Sequence, residues 1–286
     1  MVLVGVTENR LEVSAAVCVG PIYVTKLLTL DLSLGMHSSE NIIHLARVFS
    51  VLSCCREDLK QYYDGVKNLA PPALSCLFAN PTPIDPSKSL PKLTYRQFLT
   101  RAGQPTADLV NLKNPVTNLY IATLDTNQDV SVKFAARYNE EAHRLLAEAQ
   151  LAPRLYFCGL VVGGIHMIVM ERVDGKSVWE LHENKLPIPS IVLEKVEEAV
   201  RLLHNNHIVF GDLRTNNMLF VPSERRLALV DFDWSGKEGE ARYPVTLNLG
   251  DGETWRKQVV PDGIMDKADD LWQLDRLRDL CTKSDA

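Results

Sequence analysis

The sequence predicts an α+β fold of two lobes, in which a small antiparallel-sheet lobe precedes a short helical lobe and an N-terminal α+β segment comes before both. Three observations predict it. In the second part of the chain, strand-like runs come first and helix-like runs come last. A proline-rich tract separates that part from the first residues. Acidic and amide side chains follow short apolar runs between residues 210 and 233, which favours a chemical site in the second part.

Composition and charge exclude several classes of protein. The chain has 286 residues, of which 46% are hydrophobic and 23% charged, as is typical of globular proteins. Thirty-one basic and 36 acidic residues give a net charge of −5, which disfavours nucleic acid as a partner. The apolar stretch from Val13 to Thr25 is too short to cross a bilayer, so we expect no membrane association.

The first residues and the cysteines indicate the compartment. The N-terminus lacks the basic region of a cleaved signal peptide. The six cysteines are scattered and form no C-x-x-C pair, which favours reduced thiols. We therefore expect an intracellular protein, in the cytoplasm or the nucleus.

The N-terminal segment predicts strands followed by a helix. Residues 2–34 are rich in Val, Leu and Ile with short polar breaks, which predicts two or three strands. Ser39 can cap a helix that runs to about Tyr63, with Gly65 as its stop. Because prolines are dense between residues 71 and 91, we expect a domain boundary near residue 88. This gives an accessory segment, 1–88, and a main domain, 89–286.

The main domain predicts a sheet lobe to about residue 171 and a second lobe over 172–286. A hairpin is predicted from 119–124 and 130–134, then a helix from Asn139 to Gln150. Strands over 155–157 and 165–170, turning at Gly163-Gly164, complete the first lobe. The second lobe has helices over 190–204 and 266–280, with short strands over 218–221 and 227–230 between them.

Two acidic segments of the second lobe carry the strongest chemical signal. Asp212 is followed five residues later by Asn217, which is the D-x-x-x-x-N spacing of a kinase catalytic loop. Asp231 ends the apolar run Leu229-Val230 and matches a metal-binding aspartate. Phosphoryl transfer needs a carboxylate facing the acceptor hydroxyl and oxygen ligands for Mg²⁺, and these residues supply both.

A lysine and a glutamate in the first lobe fit the same chemistry. Lys133 lies inside the apolar strand 130–134, where a kinase holds the nucleotide phosphates. Its alternative interpretation is a solvated lysine on a strand face. Glu141 begins the next helix and is the favoured ion-pair partner of Lys133, because Leu145 follows it on a packed face; Glu140 is the competing candidate.

With these motifs, the chain resembles the fungal, basidiomycete-type protein-kinase-like domains over roughly residues 90–286. The strings that carry the likeness are 132–134, 141–146, 209–214, 229–239 and 241–244. The resemblance implies a bilobal kinase-like fold, ATP and Mg²⁺. It implies these roles: Lys133 on the phosphates with Glu141 as its partner, Asp212 as base, Asn217 and Asp231 as metal ligands, and Arg214 near the transferring phosphate.

The resemblance also implies a hinge and an anchor. Met170, Glu171 and Val173 fall in the segment 170–173, which resembles the hinge whose backbone contacts adenine. Asp270 resembles the buried helix aspartate that anchors the catalytic loop, with a surface helix charge as the alternative.

The chain also departs from the kinase pattern. Phe210-Gly211 precedes Asp212 in place of His-Arg, Asp233 replaces the glycine of D-F-G, and no G-x-G-x-x-G precedes Lys133. Without an arginine before Asp212, we expect activity that needs no activation-loop phosphate.

The prediction is therefore an ATP- and Mg²⁺-dependent phosphotransferase with an atypical x-G-D loop. Its acceptor is Ser or Thr of a protein by family likeness, although x-G-D also suits small acceptors. The alternative is a nucleotide-binding pseudokinase that acts as a protein-interaction module. The oligomeric state stays open.

Overall fold

The computed structural model describes residues 2–7, 9–18, 22–32, 39–66, 78–85, 87, 89–100, 103–107, 116–250 and 254–284. Its contacts divide the chain into two units. The first comprises Met1–Ala79 with Asn111–Thr117, and the second Asn80–Val110 with Asn118–Ala286. Residues near 80 belong to the second unit because Pro83 bridges to Val161 and Val162 N–H donates to the Thr82 carbonyl at 2.8 Å. The predicted boundary at Lys88 and the first prolines of the tract, from Pro71, lie outside the described residues.

The first unit combines a three-stranded sheet and one long helix. Strands β1 (Val2–Thr7), β2 (Arg10–Cys18) and β3 (Ile22–Asp31) pair antiparallel in the order β1-β2-β3. Leu11, Val13 and Ala16 of the central strand are buried. Helix α1 spans Ser39–Val66. The predicted strands and helix are confirmed, but Gly65 does not stop the helix, which includes it and ends at Val66.

The second unit begins with a six-stranded sheet. Its strands are β4 (Leu93–Thr100), β5 (Pro105–Thr106), β6 (Val116–Leu124), β7 (Asp129–Ala135), β8 (Leu155–Val161) and β9 (Ile165–Glu171). The strand order is β5-β4-β6-β7-β9-β8. The pairings β6–β7, β7–β9 and β8–β9 are antiparallel, which confirms both predicted hairpins and places β7 inside the sheet.

Helix α2 (Glu140–Glu148) packs inside the second unit through Ala142, His143 and Leu146, which are buried. Asn139 caps it, because its side chain accepts from Ala142 N–H at 3.0 Å. The helix ends two residues before the predicted Gln150, which takes a left-handed φ of 61°.

The helical lobe follows. It contains β10 (Lys176–Ser177), α3 (Val178–Glu183), α4 (Ser190–Asn205), β11 (Ile208–Val209), β12 (Met218–Val221), β13 (Arg226–Leu229), β14 (Gly236–Lys237) and α5 (Lys267–Ser284). A core of buried apolar side chains joins α4, α5 and the strands between them, including Val196, Val200, Leu203, Phe210 and Leu277. A sheet lobe followed by a short helical lobe is the kinase-like α+β fold that the sequence predicts. Among the described residues, no helix has the length and apolar character to cross a membrane.

Candidate active site

The segment Phe210–Asn217, called the catalytic loop below, is hydrogen-bonded to α5. Asp270 is fully buried and accepts from Phe210 N–H at 2.8 Å and from Gly211 N–H at 2.9 Å. His204 Nε2 lies 3.0 Å from the same carboxylate. The Asp270 anchor implied by the resemblance is present, and the alternative of a surface helix charge is wrong.

The glycine before Asp212 has a backbone reason. Gly211 adopts a φ of 79°, the left-handed region that favours glycine. A Cβ at this position would lie 3.0 Å from Met265 Sδ. The chain thus bends at Gly211 just before Asp212, and the amides of Phe210 and Gly211 donate to Asp270.

Asp212 lies at the centre of the catalytic loop with 3% of its surface exposed. Arg214 donates to both of its carboxylate oxygens, through Nε to Oδ1 and through Nη2 to Oδ2 at 2.8 Å. Asn217 Nδ2 donates to Oδ2 at 2.9 Å and to the Asp212 carbonyl at 3.0 Å. Burial raises the pKa of Asp212, and the bonds from Arg214 oppose that rise.

Asp231 follows β13 and meets the catalytic loop. Val230 N–H donates to the Asn217 carbonyl at 2.9 Å, which ties the two segments together. Asp231 has a φ of 72°, a conformation that aspartate tolerates better than most residues. Its carboxylate accepts from Lys133 Nζ at 2.6 Å.

Lys133 also donates to Asp233 Oδ1 at 2.5 Å and is only 7% exposed. Burial acts to lower the pKa of Lys133, but the two carboxylates outweigh it and raise that pKa. Burial acts to raise the pKa of Asp231, yet Lys133 holds it below its ordinary value. For Asp233, burial raises the pKa to about 6, with Lys133 opposing and Asp231 adding to the rise. The interpretation of Lys133 as a solvated lysine is wrong.

The predicted ion pair between Lys133 and Glu141 is absent among the described residues, where the acidic partners of Lys133 are Asp231 and Asp233. Glu141 is exposed in the first turn of α2. The buried face of α2 is formed by Ala142, His143 and Leu146, so Glu141 points outward. Leu145, on which the prediction relied, is only partly buried. Glu140 pairs with Arg144 at 2.7 Å.

The predicted hinge joins the sheet lobe to the helical lobe. Met170 is buried in β9 between Ser131 of β7 and Leu155 of β8. The Glu171 carboxylate accepts from Arg226 Nη2 at 2.9 and 3.0 Å and from Arg154 N–H at 2.9 Å. Val173 is half-buried in the connection that follows. A role of this segment in adenine binding stays a prediction.

Sequence reasoning missed His143. Its Nε2 donates to the Pro153 carbonyl at 2.7 Å, which leaves Nδ1 to accept from the Tyr138 hydroxyl at 2.6 Å. The ring stacks on Phe232, with centroids 4.6 Å apart and an interplanar angle of 8°. Burial lowers the pKa of His143 to about 4, so the ring is neutral at neutral pH. The aromatic residue inside Asp231-Phe232-Asp233 is the signal that could have pointed to a partner on α2.

Asn217 and Asp231 are of the residue types that bind magnesium, and their role as metal ligands stays a prediction. The Asn217 amide nitrogen is committed to Asp212, so the amide oxygen is the end that can coordinate a cation. In the described part of the chain, no cluster of three or more His, Cys, Asp or Glu side chains is arranged to hold a metal. Asn217 and Asp231 together suit Mg²⁺, which uses one or two carboxylates and completes its sphere with water and phosphate.

Comparisons with known proteins find relatives that are named as protein kinases. No family model matches the chain. It is 30% identical over 83 residues to a Dictyostelium discoideum protein named "Probable serine/threonine-protein kinase", covering 27% of this chain and 16% of that protein. It is 23% identical over 118 residues to the serine/threonine-protein kinase CLA4 of Eremothecium gossypii, covering 37% of this chain and 15% of that protein.

Among solved structures, the chain is similar to the kinase PK-1 of Cydia pomonella granulovirus. The TM-score is 0.49 at 15% identity, covering 66% of this chain and 69% of that one. The two curated relatives support a place in the protein kinase-like superfamily. This chain aligns with less than a fifth of the length of each.

Proposed function

We propose that the protein transfers a phosphoryl group from ATP, with Mg²⁺, to a hydroxyl acceptor, and that the acceptor is Ser or Thr of a protein. The meeting of Asp212, Asn217, Asp231 and Lys133 in one place carries the proposal. The two curated relatives named as serine/threonine kinases support the choice of acceptor. We also propose that the chain is of the fungal, atypical type and acts inside the cell, in the cytoplasm or nucleus.

Asp212 accepts the proton of the acceptor hydroxyl. Its carboxylate is oriented by Arg214 and Asn217, so it needs little rearrangement to act. Asn217 and Asp231 hold the cation, which neutralises charge on the phosphates when bound. Lys133 is placed within reach of Asp231 and supplies a second positive charge to the phosphates.

The turn at Phe210-Gly211 supports activity without an activation-loop phosphate. Asp270 and Gln273 hold the catalytic loop, through Gly211 N–H at 2.9 Å and Leu213 N–H at 2.8 Å. These partners belong to α5, so the loop is ordered by the protein itself. Phosphatase treatment is expected to leave turnover unchanged, and loss of turnover would contradict this part of the proposal.

The experiment is thermal unfolding with and without ATP and Mg²⁺, combined with transfer of labelled phosphate to dephosphorylated casein. Binding to the native state raises the unfolding midpoint by mass action. We expect a Mg²⁺-dependent rise that Asp231→Asn abolishes, because asparagine keeps the left-handed backbone but removes the charge. Asp279→Asn, at an exposed position on α5, is the matched control. Asp212→Asn is expected to keep the rise and lose transfer.

A nucleotide-binding pseudokinase is the second candidate. One observation favours it: Lys133 is already paired with both Asp231 and Asp233, and nucleotide binding has to open these contacts. In addition, the loop between β4 and β6 contains a single glycine, Gly103, in place of a glycine-rich pattern. A midpoint rise with no transfer to any acceptor would favour this candidate.

A further inference from the structure

Arg214 is held by two tryptophans as well as by Asp212. Its guanidinium carbon lies 5.6 Å from the ring centroid of Trp234 and 5.5 Å from that of Trp255. The two indoles lie 5.7 Å apart with an angle of 32° between their planes. A guanidinium at this distance from an indole face is attracted by the ring quadrupole. The two tryptophans are called the indole pair below.

The ion pair with Asp212 does not by itself immobilise Arg214. The arginine side chain is 41% exposed and has several rotatable bonds, whereas the Asp212 side chain is 5% exposed. Asp212 is fixed by burial, but water reaches the Arg214 end of the pair and competes for its guanidinium. The indole pair supplies a second, apolar restraint that water cannot replace.

The hydrogen bonds to Asp212 use only part of the Arg214 guanidinium. Nε and Nη2 donate to Asp212, so Nη1 can still donate to an anion. The guanidinium of Arg214 can then contact Asp212, the proposed base, and the transferring phosphate at the same time. Planar arginine suits phosphate oxygens in this way.

Each indole is fixed from a different part of the chain. Trp255 is 4% exposed, and its Nε1 donates to the Asn248 carbonyl at 3.1 Å. It packs with Val209, Tyr243, Leu247 and Met265 in one buried cluster. Trp234 directly follows Asp233 and is partly buried against the same cluster. The indole pair thus joins the segment after Asp231 to the catalytic loop.

We propose that Trp234 and Trp255 are positioning residues of the phosphoryl transfer, which hold Arg214 beside Asp212 so that its free edge meets the transferring phosphate. This inference rests on the proposed function. The tryptophans themselves touch Arg214 and act through it.

The experiment measures kcat and the KM for ATP in a double-mutant cycle. Trp234→Leu removes the ring face at an apolar position, and Arg214→Met removes the charge at similar length. We expect Trp234→Leu to lower kcat about tenfold, with the KM for ATP changed less than about twofold, because the restraint matters for the transferring phosphate. Trp234→Phe should recover most of the lost kcat. In the Arg214→Met background, Trp234→Leu should have no further effect.

Trp272→Leu is the matched control, because Trp272 forms another arginine–indole contact, with Arg276 at 5.0 Å on α5. It should leave kcat unchanged. Additive effects of Trp234→Leu and Arg214→Met would overturn the inference, as would an unchanged kcat in Trp234→Leu. Wild-type protein that transfers no phosphate would overturn the proposed function first, and the inference with it.

A second measurement covers the case in which Trp234→Leu does not fold. Fluorinated tryptophans placed at position 234 keep the shape of the ring while withdrawing electron density from its face. We expect kcat to fall stepwise as fluorine atoms are added. A kcat that is independent of fluorination would overturn the inference.

Discussion

Phe232 lies flat against His143, with ring centroids 4.6 Å apart and an interplanar angle of 8°. Phe232 is fully buried between Asp231 and Asp233, and His143 is fully buried on α2. The contact therefore connects the helix of the sheet lobe with the acidic segment of the site. Because burial lowers the pKa of His143 to about 4, the ring that packs on Phe232 is the neutral form at neutral pH.

His143 should make stability depend on pH. Burial lowers its pKa to about 4 from the ordinary histidine value of 6.5, so the unfolded chain takes up the proton more readily. The stability contributed by neutral His143 is complete above about pH 6.5 and is lost as the pH falls toward about 4, by up to about 3 kcal/mol. Urea unfolding between pH 4 and 7 measures this slope.

The matched comparison is His143→Gln against His182→Gln, an exposed histidine on α3. We expect His143→Gln to be less stable at pH 7 and to lose part of the slope. His182→Gln should retain the wild-type slope. An unchanged slope in His143→Gln would show that other groups cause the dependence.

Gly211→Ala should destabilise the protein by about 2 kcal/mol, because alanine is strained at a φ of 79° and its Cβ meets Met265. Gly239→Ala is the control, since Gly239 has a similar φ of 75° with nothing within 4 Å of the added Cβ. The difference between the two free energies of unfolding reports the contact with Met265. Equal losses would mean that the contact costs nothing.

Asp270→Asn should cost about 3 kcal/mol of unfolding free energy. The buried carboxylate accepts from two catalytic-loop amides, and asparagine offers one acceptor oxygen only. Hydrogen exchange at Phe210 and Gly211 should accelerate as well. Asp279→Asn, exposed on the same helix, should change neither quantity, and slow exchange in Asp270→Asn would contradict the anchoring role.

Lys133→Met should be less stable than the wild type by about 2 kcal/mol at pH 8, because Asp231 and Asp233 lose their shared cation. The loss should shrink at pH 5, since unpaired carboxylates of raised pKa become protonated in the folded state. Urea unfolding at the two pH values tests this. Lys195→Met, at a partly exposed lysine on α4 beside Glu198, should show little change at either pH.

Helices and strands with a regular spacing of apolar residues could be predicted from the sequence, and those without it could not. The hairpin β6–β7 and the helix α4 follow regular apolar spacing, and both form where expected. Strand β4 was not predicted, because the polar residues Thr94, Arg96 and Gln97 interrupt its apolar residues. Helix α3 was missed because it has six residues, although Ser177 and Glu180 form a capping box at its start.

The sequence by itself determined the local geometry of the site. Asp212 and Asn217 lie five residues apart in one loop, so their hydrogen bond follows from short-range chain geometry. The tertiary structure alone decided the partners of Lys133, which are 98 and 100 residues away and not the nearby Glu141. Spacing along a helix limits which residues share a face, but the direction that face takes depends on packing by distant parts of the chain. Packing of the same kind brought His143 to Phe232 and the indole pair to Arg214.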